Sequence, residues 1–478
     1  MQSIVEPCVR GILDAERCPR ELGREIAPRR RQMVLAACVL ASSMAFIDGS
    51  ALNVALPRLR ASFGADLASV QWVLNGYVLA LAALTLVGGA LADRFGKARM
   101  LLLGCLGFGL ASAGCVAAPT LGWLIAVRAA QGVAAAILTP SSLALIGATF
   151  PRDERNRAVG VWAAASSLTT AGGPVLGGYL TDHFGWPWIF AINPPLAVIA
   201  IALLIAYAAP DRREARGFDV LGAAILAVGL GVLAWVLSEI GPTSSAAVGG
   251  ATRPAAALFS AVALAGYALW ERLSAHPMTP PRLMRNRAFV GLNIATLLLY
   301  AGLAMMFFLI SFDLIDRRGL MPTQAGLAFL PFALAVGILS PAFGAFADRV
   351  GARAMLIAGE LAAAFSFLLL ALGRGASLAA GVIGPMALLG ISFALVVTPL
   401  TASVLSSVSD ADEGLASGIN NAVSRVAQLS GVALAAGVAS FAAGYPAGLT
   451  TAAALALAAG LITTVMLPSA ARQDRKAG

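Results

Sequence analysis

The chain has 478 residues, 59% of them hydrophobic and 12% charged, with a mean hydropathy of +0.84. Soluble domains carry about 25% charged residues, so this composition cannot solvate a globular surface and excludes a water-soluble enzyme. The net charge of +9 rests on basic residues scattered between long apolar runs, with no basic stripe interleaved with aromatics; a membrane protein with no nucleic-acid partner is expected.

Residues 1–32 hold seven arginines and five acidic residues and lack the apolar core of a signal peptide, which reads as a cytoplasmic tail. A bilayer-crossing helix needs about 20 mostly apolar residues. Six such stretches follow the tail, at 33–56, 69–91, 100–118, 121–146, 158–180 and 187–209. Two more lie at 219–240 and 254–271. A further six occupy 288–314, 323–346, 354–373, 379–404, 417–442 and 447–467, and residues 468–478 form a second polar tail. The five cysteines make no C-x-x-C pair, and the two histidines, His183 and His276, belong to no metal-ligand string. No phosphate-binding loop occurs either, so neither a metal nor a nucleotide cofactor is expected.

An even number of spans puts both tails on one side, and the Lys/Arg bias names the side. With the tails in the cytoplasm, 25 basic residues lie on that side and 6 on the other, while Arg128 and Arg425 fall within spans. The expected location is the plasma membrane, the inner membrane in a bacterium.

An internal repeat is visible across the connections that follow the second and tenth spans. Gly89 opens G-A-L-A-D-R-F-G, with Asp93, Arg94 and Gly96, and Gly344 opens G-A-F-A-D-R-V-G, with Asp348 and Arg349. Six of these eight positions are identical at a separation of 255 residues, as in a duplicated transporter. Small residues there let helices approach closely, and the basic residues hold the turn in the cytoplasm.

The stretch from about residue 33 to 467 resembles the major facilitator superfamily, and within it the fourteen-span drug:proton antiporters. Span 1 carries I-D-G-S-A-L-N-V-A-L-P (Ile47–Pro57), span 4 carries L-I-A-V-R-A-A-Q-G (Leu124–Gly132), and span 5 carries G-P-V-L-G-G with Gly173, Pro174, Gly177 and Gly178. W-P-W-I-F-A-I-N-P-P (Trp186–Pro195) and G-L-A-S-G-I-N-N (Gly414–Asn421) add to the likeness. Two departures stand out: Ser50 replaces the usual threonine of span 1, and Thr169 replaces an earlier glycine of span 5. The resemblance implies an all-α membrane protein with an amino-terminal six-helix bundle over 33–209 and a carboxy-terminal one over 288–467. Residues 210–287 then supply two inserted helices. It also implies export of lipophilic, often cationic compounds by alternating access, driven by the proton gradient without a cofactor. Export of a specific metabolite or lipid on the same fold, or a non-transporting receptor or scaffold, are the alternatives.

Ionisable residues at bilayer depth are costly and mark candidate sites. Counting about 1.5 Å per residue puts Asp48 and Arg128 at similar depths, roughly 10–13 Å from one face, where opposite charges attract and the proton on Asp48 can come and go as water or substrate approaches. A static structural pair is the plainer reading. Asp313, close to Asp316, Arg317 and Arg318, reads equally as an interfacial cap or a site acid. Glu360 and Arg425 lie about 9–12 Å from the cytoplasmic face, where they could pair. Asn53, Gln131, Asn193 and Tyr300 are candidates for a cavity lining, although polar groups glue helices together as readily. Gly173, Pro174 and Gly177 are expected to bend span 5 and let it approach a neighbour. The expected partners are a small-molecule cargo and the lipid bilayer, the chain acting as a monomer.

Overall fold

The computed structural model describes residues 28–208, 219–238, 252–274, 281–408, 413–439 and 444–467. Every regular element among them is helical. In chain order they are α1 (Pro28–Phe63), α2 (Leu67–Phe95), α3 (Lys97–Val116), α4 (Leu121–Thr149), α5 (Arg152–His183), the short α6 (Trp188–Ala191) and α7 (Asn193–Tyr207). Then come α8 (Val220–Ser238), α9 (Thr252–Leu273), α10 (Pro281–Met284), α11 (Arg287–Phe312), α12 (Pro322–Ala328) and α13 (Leu330–Val350). The last four are α14 (Ala352–Leu372), α15 (Gly384–Ser406), α16 (Glu413–Ala439) and α17 (Gly444–Met466). Both expected tails lie outside the described residues, apart from the 28–32 stretch that begins α1.

Two expected spans are interrupted, each for a local reason. The 187–209 stretch breaks at Ile192, because Pro194 and Pro195 lack the N–H groups needed to continue α6 and instead sit in the first turn of α7. The 323–346 stretch breaks at Phe329, with Pro331 opening α13 in the same way.

Ten helical stretches among the described residues are long and apolar enough to cross a membrane. The long helices outside that set are α2, α5, α8 and α16. Three of them carry the polar load: Gln71 and Asn75 on α2, a charged start and a Ser/Thr-rich middle on α5, and Asn420, Arg425 and Gln428 on α16. Outward faces are apolar, as at Leu168, Ile205, Ile338, Leu372 and Val465, each about 70% exposed or more. Such faces suit lipid rather than water.

Helices α1–α7 pack chiefly on one another, and α11–α17 do the same except for the short α12, which packs chiefly on α5. The pair α8–α9 stands beside the seam, with α8 touching both α2 and α16. One end of the assembly carries the start of α1 and the end of α17, here the tail end; the opposite end is the far end. A continuous core joins the two bundles towards the far end, combining Leu52, Leu56 and Phe190 with Phe308, Leu314 and Phe329. A second core, with Cys38, Met44, Leu101, Phe108 and Leu138, lies within the amino-terminal bundle.

The repeated turns adopt the same geometry. Gly96 (φ 107°, ψ 134°) and Gly351 (φ 95°, ψ 132°) each separate two helices, and their N–H groups donate to Ala92 O and Ala347 O at 3.0 and 2.8 Å. The positive φ is the reason for glycine at both places. The side chains of Asp93 and Asp348 lie outside the described set, while Arg94 and Arg349 are exposed at the tail end.

Candidate functional site

Helices α1 and α4 bring Asp48 and Arg128 together, and both side chains are fully buried. Arg128 Nη1 donates to Asp48 Oδ2 and, at 2.6 Å, to Gln131 Oε1, while its Nε donates to the Val73 carbonyl at 3.0 Å. Gln131 Nε2 donates to Asp48 Oδ1 at 3.2 Å and to Ser112 Oγ at 2.7 Å, and Asn193 Nδ2 donates to the same hydroxyl at 3.1 Å. Gln131, one turn below Arg128 on α4, therefore holds the acid and the base at once. The guanidinium lies 4.2 Å from the centroid of the Tyr77 ring and 5.5 Å from that of Phe190, so aromatic faces shelter its charge.

A cavity of about 340 Å³ lies between the bundles. Asp48 and Arg128 do not line it; Tyr77, which does, stands between them and the cavity. Phe46, Phe307, Phe329, Phe332 and Phe393 give it aromatic walls, held by contacts such as the Phe307–Phe329 stack at 5.0 Å and the Tyr300–Phe393 edge contact at 5.9 Å. Asn53, Ser50, Thr170 and Gln428 add polar edges. Among the described residues, Arg425 is the one charged residue of the lining.

The sequence candidates thus separate. Asp48, Arg128, Gln131 and Asn193 share one network, whereas Asn53 and Tyr300 line the cavity with Arg425. Glu360 and Arg425 do not pair: Glu360 Oε1 accepts from Thr463 Oγ1 at 2.9 Å, and Arg425 Nη1 donates to Gln428 Oε1 at 3.2 Å. The reason is helix adjacency, since α14 packs on α15 and α17 while α16 packs on α11 and α2. Asp313 joins neither group; it binds Arg317 and Arg318 at the far end, with Arg374 at 3.6 Å.

The span 5 glycines divide their work. A Cβ on Gly173 or Gly177 would collide with Ser50 or Ala51 of α1, so these two residues set the approach of α1 to α5. Gly178 faces the other bundle, where a Cβ would lie 2.3 Å from Pro322 O, and Gly326 of α12 meets Pro174 O at the same distance. Helix α5 runs through Pro174 as one helix from Arg152 to His183. Next to this contact, Asp182 Oδ2 accepts from the Thr323 N–H at 2.7 Å and from its hydroxyl. Arg60 and Asp316 form a further bridge between bundles at 3.3 Å.

Sequence reasoning did not single out Ser112, Asp182, Phe190 or Gln428. Asp182 was accessible in principle, as an acid at the end of an otherwise uncharged span. Ser112 gave no signal, because a lone serine in an apolar helix commonly bonds its own backbone.

The major facilitator superfamily model matches residues 38–312 and 292–477. The chain belongs to that superfamily. It is 34% identical over 414 residues to the multidrug resistance protein Stp of Mycobacterium tuberculosis, covering 85% of this chain and 75% of that one. The lincomycin resistance protein of Streptomyces lincolnensis is 32% identical over 411 residues, covering 85% and 84% of the two chains. Among solved structures, a peptide transporter POT in complex with sulfate superposes with a TM-score of 0.68 at 16% identity, covering 91% of this chain and 94% of that one. The POT family transporter PepTSo gives 0.66 at 18% identity, over 94% and 99%. At these identities the structural likeness concerns the fold alone; it is membership of the superfamily, with its membrane-crossing helices, that makes the chain a multi-pass membrane transporter.

Proposed function

We propose that this protein exports lipophilic compounds from the cytoplasm in exchange for protons, by alternating exposure of the central cavity through fourteen helical passes, with both tails cytoplasmic. The observation that carries the coupling is the fully buried Asp48–Arg128–Gln131 cluster, whose arginine packs on Tyr77 of the cavity wall. The names of the relatives, which speak of multidrug and of lincomycin resistance, favour drug-like cargo.

An ionised Asp48 is held by Arg128 and Gln131, which ties α1 to α4. A proton arriving on Asp48 removes the charge that Arg128 answers and loosens that tie. Helix α1 packs along α5 through Gly173 and Gly177, and α5 closes on α12 through Gly178 and Asp182. One continuous helix, α5, thus links the proton site to the contact that shuts the far end, which corresponds to the extracellular side in this reading. A ligand shifts such an equilibrium only by its differential affinity for the two states, and the proton has that difference if Asp48 is paired in one state and hydrated in the other. Everted membrane vesicles with an imposed pH gradient test the exchange through proton release on addition of cargo. Undiminished gradient-driven transport by Asp48→Asn would sink the coupling, and transport unaffected by collapse of the gradient would sink the antiport itself.

A further inference from the structure

The chemistry of the cavity lining points to a cargo class that the fold does not specify. Arg425 projects from α16 into a space whose remaining lining, among the described residues, is aromatic, aliphatic or uncharged and polar. A guanidinium offers five N–H donors; here Nη1 meets Gln428 Oε1, and the carbon of the group lies 5.9 Å from the Phe46 ring centroid. Among the described residues no carboxylate lies within ion-pair distance of it. The acids that a cationic guest would need lie outside this lining: Asp48 is bound to Arg128 and Gln131, Asp313 to Arg317 and Arg318, and Glu360 meets Thr463 between α14 and α17. A cation in this cavity meets a like charge in a poorly solvated space, whereas an anion meets a forked donor with aromatic walls for its hydrocarbon.

We propose that the cavity binds lipophilic organic anions, the acidic group on the Arg425 guanidinium and the ring system between Phe307, Phe332, Phe393 and Tyr300. The proposal rests on the transport reading above only in taking the cavity's guest to be the cargo. The volume of about 340 Å³ suits a molecule of two or three fused or linked rings.

The test uses three probes with one fluorophore and different charge: dansylglycine (anionic), dansylamide (neutral) and dansylcadaverine (cationic), bound to the purified full chain in detergent at pH 7. Dansylglycine is expected to bind about tenfold or more tightly than dansylcadaverine, the ratio one well-placed charge supplies. Arg425→Gln should erase that ratio while changing dansylamide binding less than about twofold, and Arg425→Lys should keep part of it. Equal binding of all three by the unaltered protein, tighter binding of the cation, no binding of any, or an anion preference that survives Arg425→Gln in a monodisperse protein would each overturn the proposal. Proteoliposomes separate this from the transport reading. Anion-selective binding without gradient-driven movement of dansylglycine defeats transport and leaves the site, whereas gradient-driven movement of dansylcadaverine with no anion preference in binding defeats the site and leaves transport.

Discussion

The two bundles are built on a repeated plan and handle buried charge in opposite ways. In the amino-terminal bundle the buried base and acid face each other, with Gln131 bonded to both and Tyr77 shielding them from the cavity. In the carboxy-terminal bundle the buried acid and the arginine are on separate helices with separate partners: Glu360 bonds Thr463 on α17, and Arg425 opens into the cavity. The difference teaches how a duplicated scaffold can divide labour. A closed pair is suited to holding and releasing a proton, and an unpaired cation is suited to choosing a guest.

The largest effect that would break this comparison comes from removing one member of the closed pair. Asp48→Asn leaves Arg128 buried without its anion, which costs about 3–5 kcal/mol in comparable buried pairs. Thermal unfolding in detergent should show that loss, and gradient-driven transport should fall to background. The double variant Asp48→Asn/Arg128→Gln should recover most of the stability without recovering coupling; recovery of both would make the pair a structural strut. Arg128→Lys, which keeps the charge but loses the planar fork, is expected to harm transport less than Arg128→Ala.

A second perturbation acts where the bundles meet. Gly178→Leu puts a side chain where the Pro322 carbonyl stands, so it should separate α5 from α12 at the far end. A single cysteine placed at Thr323 should then react with a membrane-impermeant thiol reagent at least about tenfold faster, the signature of a population shift of about 1.4 kcal/mol. An unchanged rate would mean that the contact does not hold the far end shut.

The repeated turns offer a smaller test of equivalence. Gly96→Ala and Gly351→Ala both force a residue with a Cβ into positive φ, and each should cost about 1 kcal/mol or somewhat more in unfolding stability. Clearly unequal losses would show that the matching backbones carry different loads. The smallest effect is expected from Glu360→Gln: the amide can still bond Thr463 away from the cavity, so transport should stay within about twofold. A loss as large as that of Asp48→Asn would give the second bundle a proton site of its own.

Much of the fold was legible in the sequence because its signals are local. The apolar runs and the glycines at Gly96 and Gly351 follow from what a bilayer and a backbone permit, whatever the neighbours do, whereas the breaks before Pro194 and Pro331 were read as continuous spans although the signal for them was local. The meeting of Asp48 with Arg128 was half legible: rise per residue puts them at one depth, but depth does not name the face of a helix. Gln131 stood three residues from Arg128, and nothing local showed that it would bond both partners.

The amino-acid sequence by itself determined that the chain is helical and membrane-embedded, that it is internally repeated, and which charges are carried into the apolar interior. Tertiary structure alone decided how those charges are paired. Glu360 and Arg425 share a depth along the chain and yet end on helices facing different neighbours, and Tyr77 becomes a partition only because α2, α4 and the cavity converge on it. Depth is set by the count of residues from the membrane surface. Partnership is set by the rotation and adjacency of helices, which depend on close contacts such as Gly173 with Ser50 and Gly178 with Pro322, between residues far apart in the chain.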